Sequence, residues 1–183
     1  NLTFTSGTFN LSDALTVKNF TIGNTAEVST SANITVTGNW TNNNSTDGFT
    51  ATGGTVKLTT ASNDTTRATL SGANTFYNLN LDRNIAVLGS NTISQDLIMH
   101  RTAGDAEAKG NIYFAANTKQ TIGRKFDFKG LTTKRLLATC GNATAETDGT
   151  WEIECTGSNN HELKNIDLKG CINSSGYPLV VQD

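Results

Sequence analysis

The ten residues GANTFYNLNL, from Gly72 to Leu81, decide the fold of this 183-residue chain. They open on a glycine corner, and leucines at 79 and 81 then alternate with polar residues at 78, 80 and 82. A period of two directs one face of a strand to a core and the other to water. The stretch therefore predicts a tight corner followed by short, half-buried strands.

The same pattern returns along the chain. Ser6–Leu11 and Gly53–Leu58 repeat the corner followed by alternating residues, whereas Leu15–Gly23 and Ile34–Gly38 are strands that end at a glycine. No stretch keeps apolar residues at helical spacing for three turns. The sequence therefore predicts an all-β fold with strands of about four to seven residues.

The corners indicate how the strands are arranged. Only Asp47-Gly48 and Asp148-Gly149 offer the dipeptide typical of tight hairpins. Single Gly or Asn corners suit a chain that bends and stacks each strand on its equivalent one coil earlier. We predict a single β-solenoid domain over residues 1–183, with about 20 residues per coil, eight or nine coils, and a length of about 40 Å. A β-sandwich is the alternative.

The amino-acid composition agrees with a fold of many strands and corners, and it argues against some classes of partner. The chain has 31 Thr and 22 Asn, which favour strands and corners respectively. A net charge of −2 and scattered Lys and Arg argue against a nucleic-acid partner. There is no apolar run long enough for a membrane span.

Two features point to a secreted chain. The chain starts directly in strand-like sequence, as a processed secreted chain or a piece of a larger one would. Asn-x-Ser/Thr sequons, the acceptors for N-glycosylation, are dense. They begin at Asn1, Asn10, Asn19, Asn33, Asn39, Asn43, Asn44, Asn63, Asn142 and Asn173.

The three cysteines lie in the last quarter of the chain. Cys140, Cys155 and Cys171 are spaced 15 and 16 residues apart, close to the expected coil length. Stacked coils lie about 4.8 Å apart, within disulfide range, so one pair can close. Three buried, reduced thiols are the alternative.

The recurring coil resembles that of right-handed parallel β-helices on bacterial and archaeal cell surfaces, such as filamentous-haemagglutinin-type and autotransporter-passenger adhesins. The likeness lies in Gly72–Leu81, and the passage from Gly110 to Cys171 is similar to the closing coils of such domains. It implies a right-handed parallel β-helix on the cell surface, and no particular activity.

Candidate chemistry is sparse. The densest acidic group is interpreted as a solvated outer face, so we expect no enzyme: Glu146, Asp148, Glu152, Glu154 and Glu162. The two histidines, His100 and His161, are far apart, and the cysteines lack zinc spacing. No metal and no cofactor are predicted.

Two further sequence features bear on what the surface could bind. Trp40 is the better candidate for an exposed sugar-stacking platform, because Trp151 is in phase with the core. Thr3-x-Thr5 and Thr35-x-Thr37 could order water as ice-binding threonines do, but such pairs do not recur at coil spacing.

The two ends of the predicted stack are the parts of the chain that we expect to bind a partner. Solenoid ends are unpaired strand edges, and neither end shows an obvious cap. We expect Leu2 and Phe4 at one end, and Leu179, Val180 and Val181 in a strand at 177–183, to contact another copy or flanking coils. An extracellular structural subunit that assembles end to end is favoured, then an adhesin or glycan-binding module of a larger protein, and last a carbohydrate-active enzyme.

Overall fold

The computed structural model describes residues 1–46, 48–60, 67–101, 111–142, 144–157, 161–176 and 178–182. Within these ranges the chain is all-β, with 22 strands and no helix. The described residues therefore contain no helix that could cross a membrane. All pairings between the named strands are parallel. Parallel pairing of this kind does not fit the antiparallel hairpins of a β-sandwich.

The strands stack in three columns, and from the fifth strand onward each strand returns to its column after three. Column A contains β5 (Trp40–Asn42), β8 (Ala68–Ser71), β11 (Ile85–Val87), β14 (Ile112–Phe114), β17 (Leu136–Cys140) and β20 (Ile166–Leu168). Column B contains β6 (Phe49–Ala51), β9 (Asn74–Phe76), β12 (Asn91–Ile93), β15 (Lys119–Ile122), β18 (Trp151–Cys155) and β21 (Cys171–Asn173). Column C contains β2 (Leu15–Val17), β4 (Ile34–Val36), β7 (Thr55–Thr59), β10 (Asn78–Asp82), β13 (Asp96–His100), β16 (Lys125–Lys129), β19 (Glu162–Lys164) and β22 (Val181–Gln182).

Two long strands begin the stack. The strands β1 (Leu2–Leu11) and β3 (Phe20–Thr30) run across both column A and column B, since β3 pairs with β5 near its start and with β6 near its end. Most other strands have three to five residues, shorter than the four to seven predicted. The resulting architecture is a parallel-stranded, solenoid-like stack.

The chain passes through the three columns in eight successive coils of described strands, within the predicted eight or nine. The expectation of about 20 residues per coil holds at the start and again at the end, where Trp151 pairs with Cys171, but not throughout. Register partners one coil apart are separated by as few as 17 residues, from Asn74 to Asn91, and as many as 35, from Asp127 to Glu162. The additional residues of the longer coils lie between the named strands, which keep their parallel register.

The core runs without interruption along the inside of the stack, as a single cluster of buried apolar residues. Aromatic rings stack between coils: the ring centroids of Phe20 and Trp40 are 4.3 Å apart, and those of Phe114 and Trp151 are 4.0 Å apart. Each coil covers the apolar face of the one below, so the stacking itself creates the core.

One interior line is polar. Asn74, Asn91 and Gln120 are register partners in successive strands of column B, and Asn42 lies at the end of β5 in the coil below. Asn74 donates to Asn91 Oδ1 at 2.9 Å, and Asn91 donates to Gln120 Oε1 at 2.9 Å. Asn42 donates to Asn74 Oδ1 at 3.2 Å. We call these four residues the amide ladder; their mutual hydrogen bonds allow polar side chains to be buried.

A glycine permits the close approach of two coils at the start of β9. Gly72 has φ of +86°, a left-handed conformation that favours glycine. A Cβ atom there would also lie against the Asn42 carbonyl oxygen of the coil below. The opening glycine of the Gly72–Leu81 stretch is thus required by both conformation and space.

Candidate functional site

The two ends of the stack present strand edges that pair with nothing else in the described chain. At one end β1 and β2 are hydrogen-bonded on one side only, to β3 and β4. At the other end β20, β21 and β22 pair only with β17, β18 and β19. Such edges carry backbone N–H and C=O groups that can pair with a further strand.

The first end is apolar on its inner side. Leu2 is half-buried and its N–H donates to the Asn19 carbonyl oxygen at 2.8 Å. Phe4 is buried, with ring centroids 4.5 Å from Phe9 and 5.6 Å from Phe20. Leu2 therefore sits at the end surface, whereas Phe4 belongs mainly to the core.

The second end is partly covered by the chain itself. Leu179 packs against the core cluster, and Val181 pairs with Leu163 in the parallel register. Val180 and Val181 remain 65% and 39% exposed. The strand Val181–Gln182 lies within the predicted 177–183, and the exposed Val181 in it and Val180 just before it are accessible to a partner.

The outer face of column B carries a row of hydroxyls that the irregular sequence spacing conceals. Thr50, Thr75, Thr92 and Thr121 are register partners in four successive coils. Their sequence signal is Asn-Thr-Phe, Asn-Thr-Ile and Gln-Thr-Ile at 74–76, 91–93 and 120–122. Thr-x-Thr pairs do not recur at a fixed spacing, but single threonines do recur in space.

Two salt bridges lie next to Thr121, at the end of this row that is nearest to β18. The Lys119 ammonium contacts Glu152 Oε1 at 3.1 Å and Glu154 Oε2 at 3.0 Å. A hydrogen bond from Ser174, together with Lys119, lowers the pKa of Glu152. A general acid needs a raised pKa, so Glu152 is not poised for acid catalysis.

The remaining acids of the predicted group lie apart from that pair. Glu162 contacts Lys129 Nζ at 2.6 Å on column C, and this contact lowers its pKa. Glu146 and Asp148 line a separate concavity of about 350 Å³ beside Lys169. The five acids therefore form no single convergent cluster.

The two histidines contact different residues and do not contact each other. His100 Nε2 contacts Asp127 Oδ1 at 3.1 Å on the outside of column C. The His161 ring stacks on Phe126 with centroids 4.2 Å apart, and burial lowers its pKa. Among the described residues, no group of three or more His, Cys, Asp or Glu side chains could hold a metal ion.

Most sequon asparagines lie at the surface. The exposed ones are Asn1, Asn10, Asn33, Asn39, Asn43, Asn142 and Asn173. Asn19 is half-buried and donates to Asn1 Oδ1 at 2.8 Å. Asn44 is buried and its amide nitrogen donates to the Ala26 carbonyl at 2.9 Å, so it is not accessible for modification in the folded chain. Asn63 lies outside the described residues.

The three cysteines are free thiols in the structure. Cys140, Cys155 and Cys171 stack on Phe114, Ile122 and Trp151 respectively, at three different register positions. Their spacing of 15 and 16 residues is shorter than the smallest register separation of 17, so it does not bring them to equivalent positions. Burial raises the pKa of Cys171 to about 12 and also raises that of Cys155.

The expected aromatic platform is not at the surface. Trp40 is fully buried, and its indole N–H donates to Asn74 Oδ1 at 2.9 Å. The prediction of an exposed Trp40 was wrong because the Asn39-Trp40-Thr41 alternation directs the polar neighbours outward. Trp151 is buried as predicted.

Comparison of the chain with protein-family models, with curated proteins and with solved structures gives no match.

Proposed function

We propose that the chain is an extracellular structural protein: a right-handed parallel β-helix subunit, at the cell surface or in a filament, that assembles end to end and carries N-linked glycans. The observation that carries the proposal is the pair of unpaired strand edges at opposite ends of the stack. Both edges belong to parallel columns, so a second copy stacked in the same sense would extend every column.

The chemistry of the two ends supports such stacking. The first end offers half-buried apolar side chains at Leu2, Leu11 and Leu15, and the second offers Val180 and Val181. Different surfaces meeting head to tail form a heterologous contact, and such contacts propagate when they do not close into a ring. Exposed sequons on the coils are consistent with an outward-facing, secreted surface.

Sedimentation velocity of the purified chain over a concentration series tests the proposal. We expect the average mass to rise with concentration, and Val181→Lys to weaken association at least tenfold, because a lysine at a strand edge opposes pairing. Thr35→Lys is the matched control: it places the same charge on β4, which is paired on both sides, and should leave association unchanged.

Two outcomes would overturn the proposal. One is a monodisperse monomer at the highest soluble concentration. The other is association that Val181→Lys and Thr35→Lys weaken equally, since that would place the contact elsewhere. Negative-stain images of the native particles supply a second measure: eight coils predict an axial repeat of about 40 Å.

The alternative is a module of a larger surface protein whose flanking coils cover both ends, acting as an adhesin. In that case images of the native protein would show one longer molecule without the subunit repeat. The row of threonine hydroxyls on the outer face of column B favours this second candidate, because hydroxyls can hydrogen-bond a glycan.

A further inference from the structure

We infer that the outer face of column B is a binding site for a neutral, linear oligosaccharide. The site is a concavity of about 400 Å³ that spans β6 to β15, which is within the usual size of ligand clefts. This inference does not depend on end-to-end assembly.

The floor of the concavity is built from small side chains. Thr75, Thr92 and Thr121 form one row, and Ala73 and Ser90, which immediately precede β9 and β12, flank it. Short side chains leave the backbone surface recessed below its neighbours. The longer Lys119, held by Glu152 and Glu154, forms the upper wall.

The floor hydroxyls are available to a ligand. Thr75 and Thr92 make no side-chain hydrogen bond with any described residue, and Thr121 has only a 3.5 Å contact with Glu154. Each threonine is held in register by backbone pairing and by the buried amide beside it. The donors and acceptors are therefore fixed in position before a ligand arrives, which reduces the entropic cost of binding.

The charges of the lining select the class of ligand. Among the described residues of the lining, Lys119 is the only cationic side chain, and its two carboxylate partners compensate its charge, so phosphate or sulfate groups find no positive site. Both Glu152 and Glu154 are engaged by this ammonium, so a cationic ligand gains little. Hydroxyl and methyl groups in alternation instead match the hydroxyls and C–H faces of a neutral sugar.

The geometry selects a linear chain lying along the stack. The hydroxyl rungs repeat at the strand spacing of about 4.8 Å, and a β-1,4-linked hexose chain advances per sugar by a similar length. A peptide strand is disfavoured, because the floor is a sheet face without a free edge. Ice is disfavoured because the flanking row carries Ala73, Ser90 and Lys119 in place of a second threonine row.

The probe is a series of neutral β-1,4-linked glucose oligomers, followed by NMR of the threonine methyl groups. We expect saturable chemical-shift changes at the methyl groups of Thr75, Thr92 and Thr121. The affinity should rise from the glucose dimer to the tetramer, and the hexamer should bind no more tightly than the tetramer. Thr92→Val removes the central hydroxyl while preserving shape and strand preference, and should weaken tetramer binding at least threefold.

Thr35→Val is the matched control on β4 and should leave binding unchanged; circular dichroism verifies that both variants fold. The inference is overturned if the oligomers produce no saturable shift in this row, or if Thr92→Val and Thr35→Val bind equally. It is also overturned if the chain inhibits ice recrystallisation through Thr92 while the sugars do not bind, since the face would then order water.

Discussion

Replacing Asn91 with leucine tests whether the amide ladder stabilises the stack. Asn91 accepts a hydrogen bond from Asn74 and donates to Gln120 Oε1 and to the Gly89 carbonyl oxygen. Without it, Asn74 keeps its bond to the Gly72 carbonyl oxygen and the Gly89 oxygen keeps its bond from Gln120. One N–H of Asn74 and the Oε1 atom of Gln120 lose their partners.

The magnitude follows from those two orphaned groups. Each unsatisfied buried polar group costs about 1–3 kcal/mol, so Asn91→Leu should lower the free energy of unfolding by about 3 kcal/mol. Leucine fills the vacated space and excludes a substituting water. A loss of that size is a large fraction of the roughly 5–15 kcal/mol that stabilises a typical domain.

Urea denaturation followed by tryptophan fluorescence and circular dichroism measures the change. Coincident transitions by the two probes and an unchanged slope validate a two-state comparison. The control is Ser94→Ala, at an exposed position directly after the end of β12. Its free energy of unfolding should stay within about 0.5 kcal/mol of the parent value.

A double-mutant cycle identifies the cause. Replacing Gln120 with leucine as well removes the orphaned acceptor, so the double variant should be less destabilised than the sum of the single variants by at least about 1 kcal/mol. A cost below about 1 kcal/mol for Asn91→Leu, or strict additivity in the cycle, would refute the reasoning.

Two further predictions concern the thiols and acid stability. Thiol titration under oxidising conditions should count three thiols in denaturant and almost none rapidly reactive in the native chain, since burial raises the pKa of Cys155 and Cys171; one thiol in denaturant would show that a disulfide had formed. Burial tends to raise the pKa of Asp127, but Lys129 and His100 outweigh it and lower the value. A lowered folded-state pKa means that stability from the ionised carboxylate is present above the unfolded pKa of about 3.9 and is lost as pH falls through the folded value. The midpoint temperature of thermal unfolding should therefore fall more steeply between about pH 5 and pH 2 for the parent than for Asp127→Asn. The Asp127→Asn variant keeps the Glu162–Lys129 ion pair, so its curve shows the contribution of that pair. Equal slopes for the two proteins would contradict the assignment to Asp127.

The sequence predicted the strands because their signal is local. Alternation at Leu79/Leu81 and Phe126/Phe128 reports directly which side chains face the core, and all four are buried. The parallel stack followed from the scarcity of hairpin dipeptides. Coil length did not follow, because the alternation within a strand does not reveal how many residues separate that strand from the next one.

The candidate sites depend on register, which single-sequence patterns do not contain. The spacings between Thr75, Thr92 and Thr121 are unequal, so only the strand pairing shows that they form one row. Trp40 illustrates the converse error: its polar neighbours suggested exposure, although the residue between two outward-facing side chains points inward. The sequence likewise does not show that Asn74, Asn91 and Gln120 are buried beside one another, which follows from their strand pairing.

The column arrangement also has a mechanical consequence. In a stack of parallel strands the backbone hydrogen bonds run along the long axis. Tension applied along that axis across the body is shared by three strand pairs at each coil boundary, as between β10, β11, β12 and the strands above them. Tension applied to a chain terminus instead peels one strand at a time from the outermost coil. The same molecule is therefore expected to resist stretching when it is held by its faces and to unravel stepwise when it is pulled by its tail.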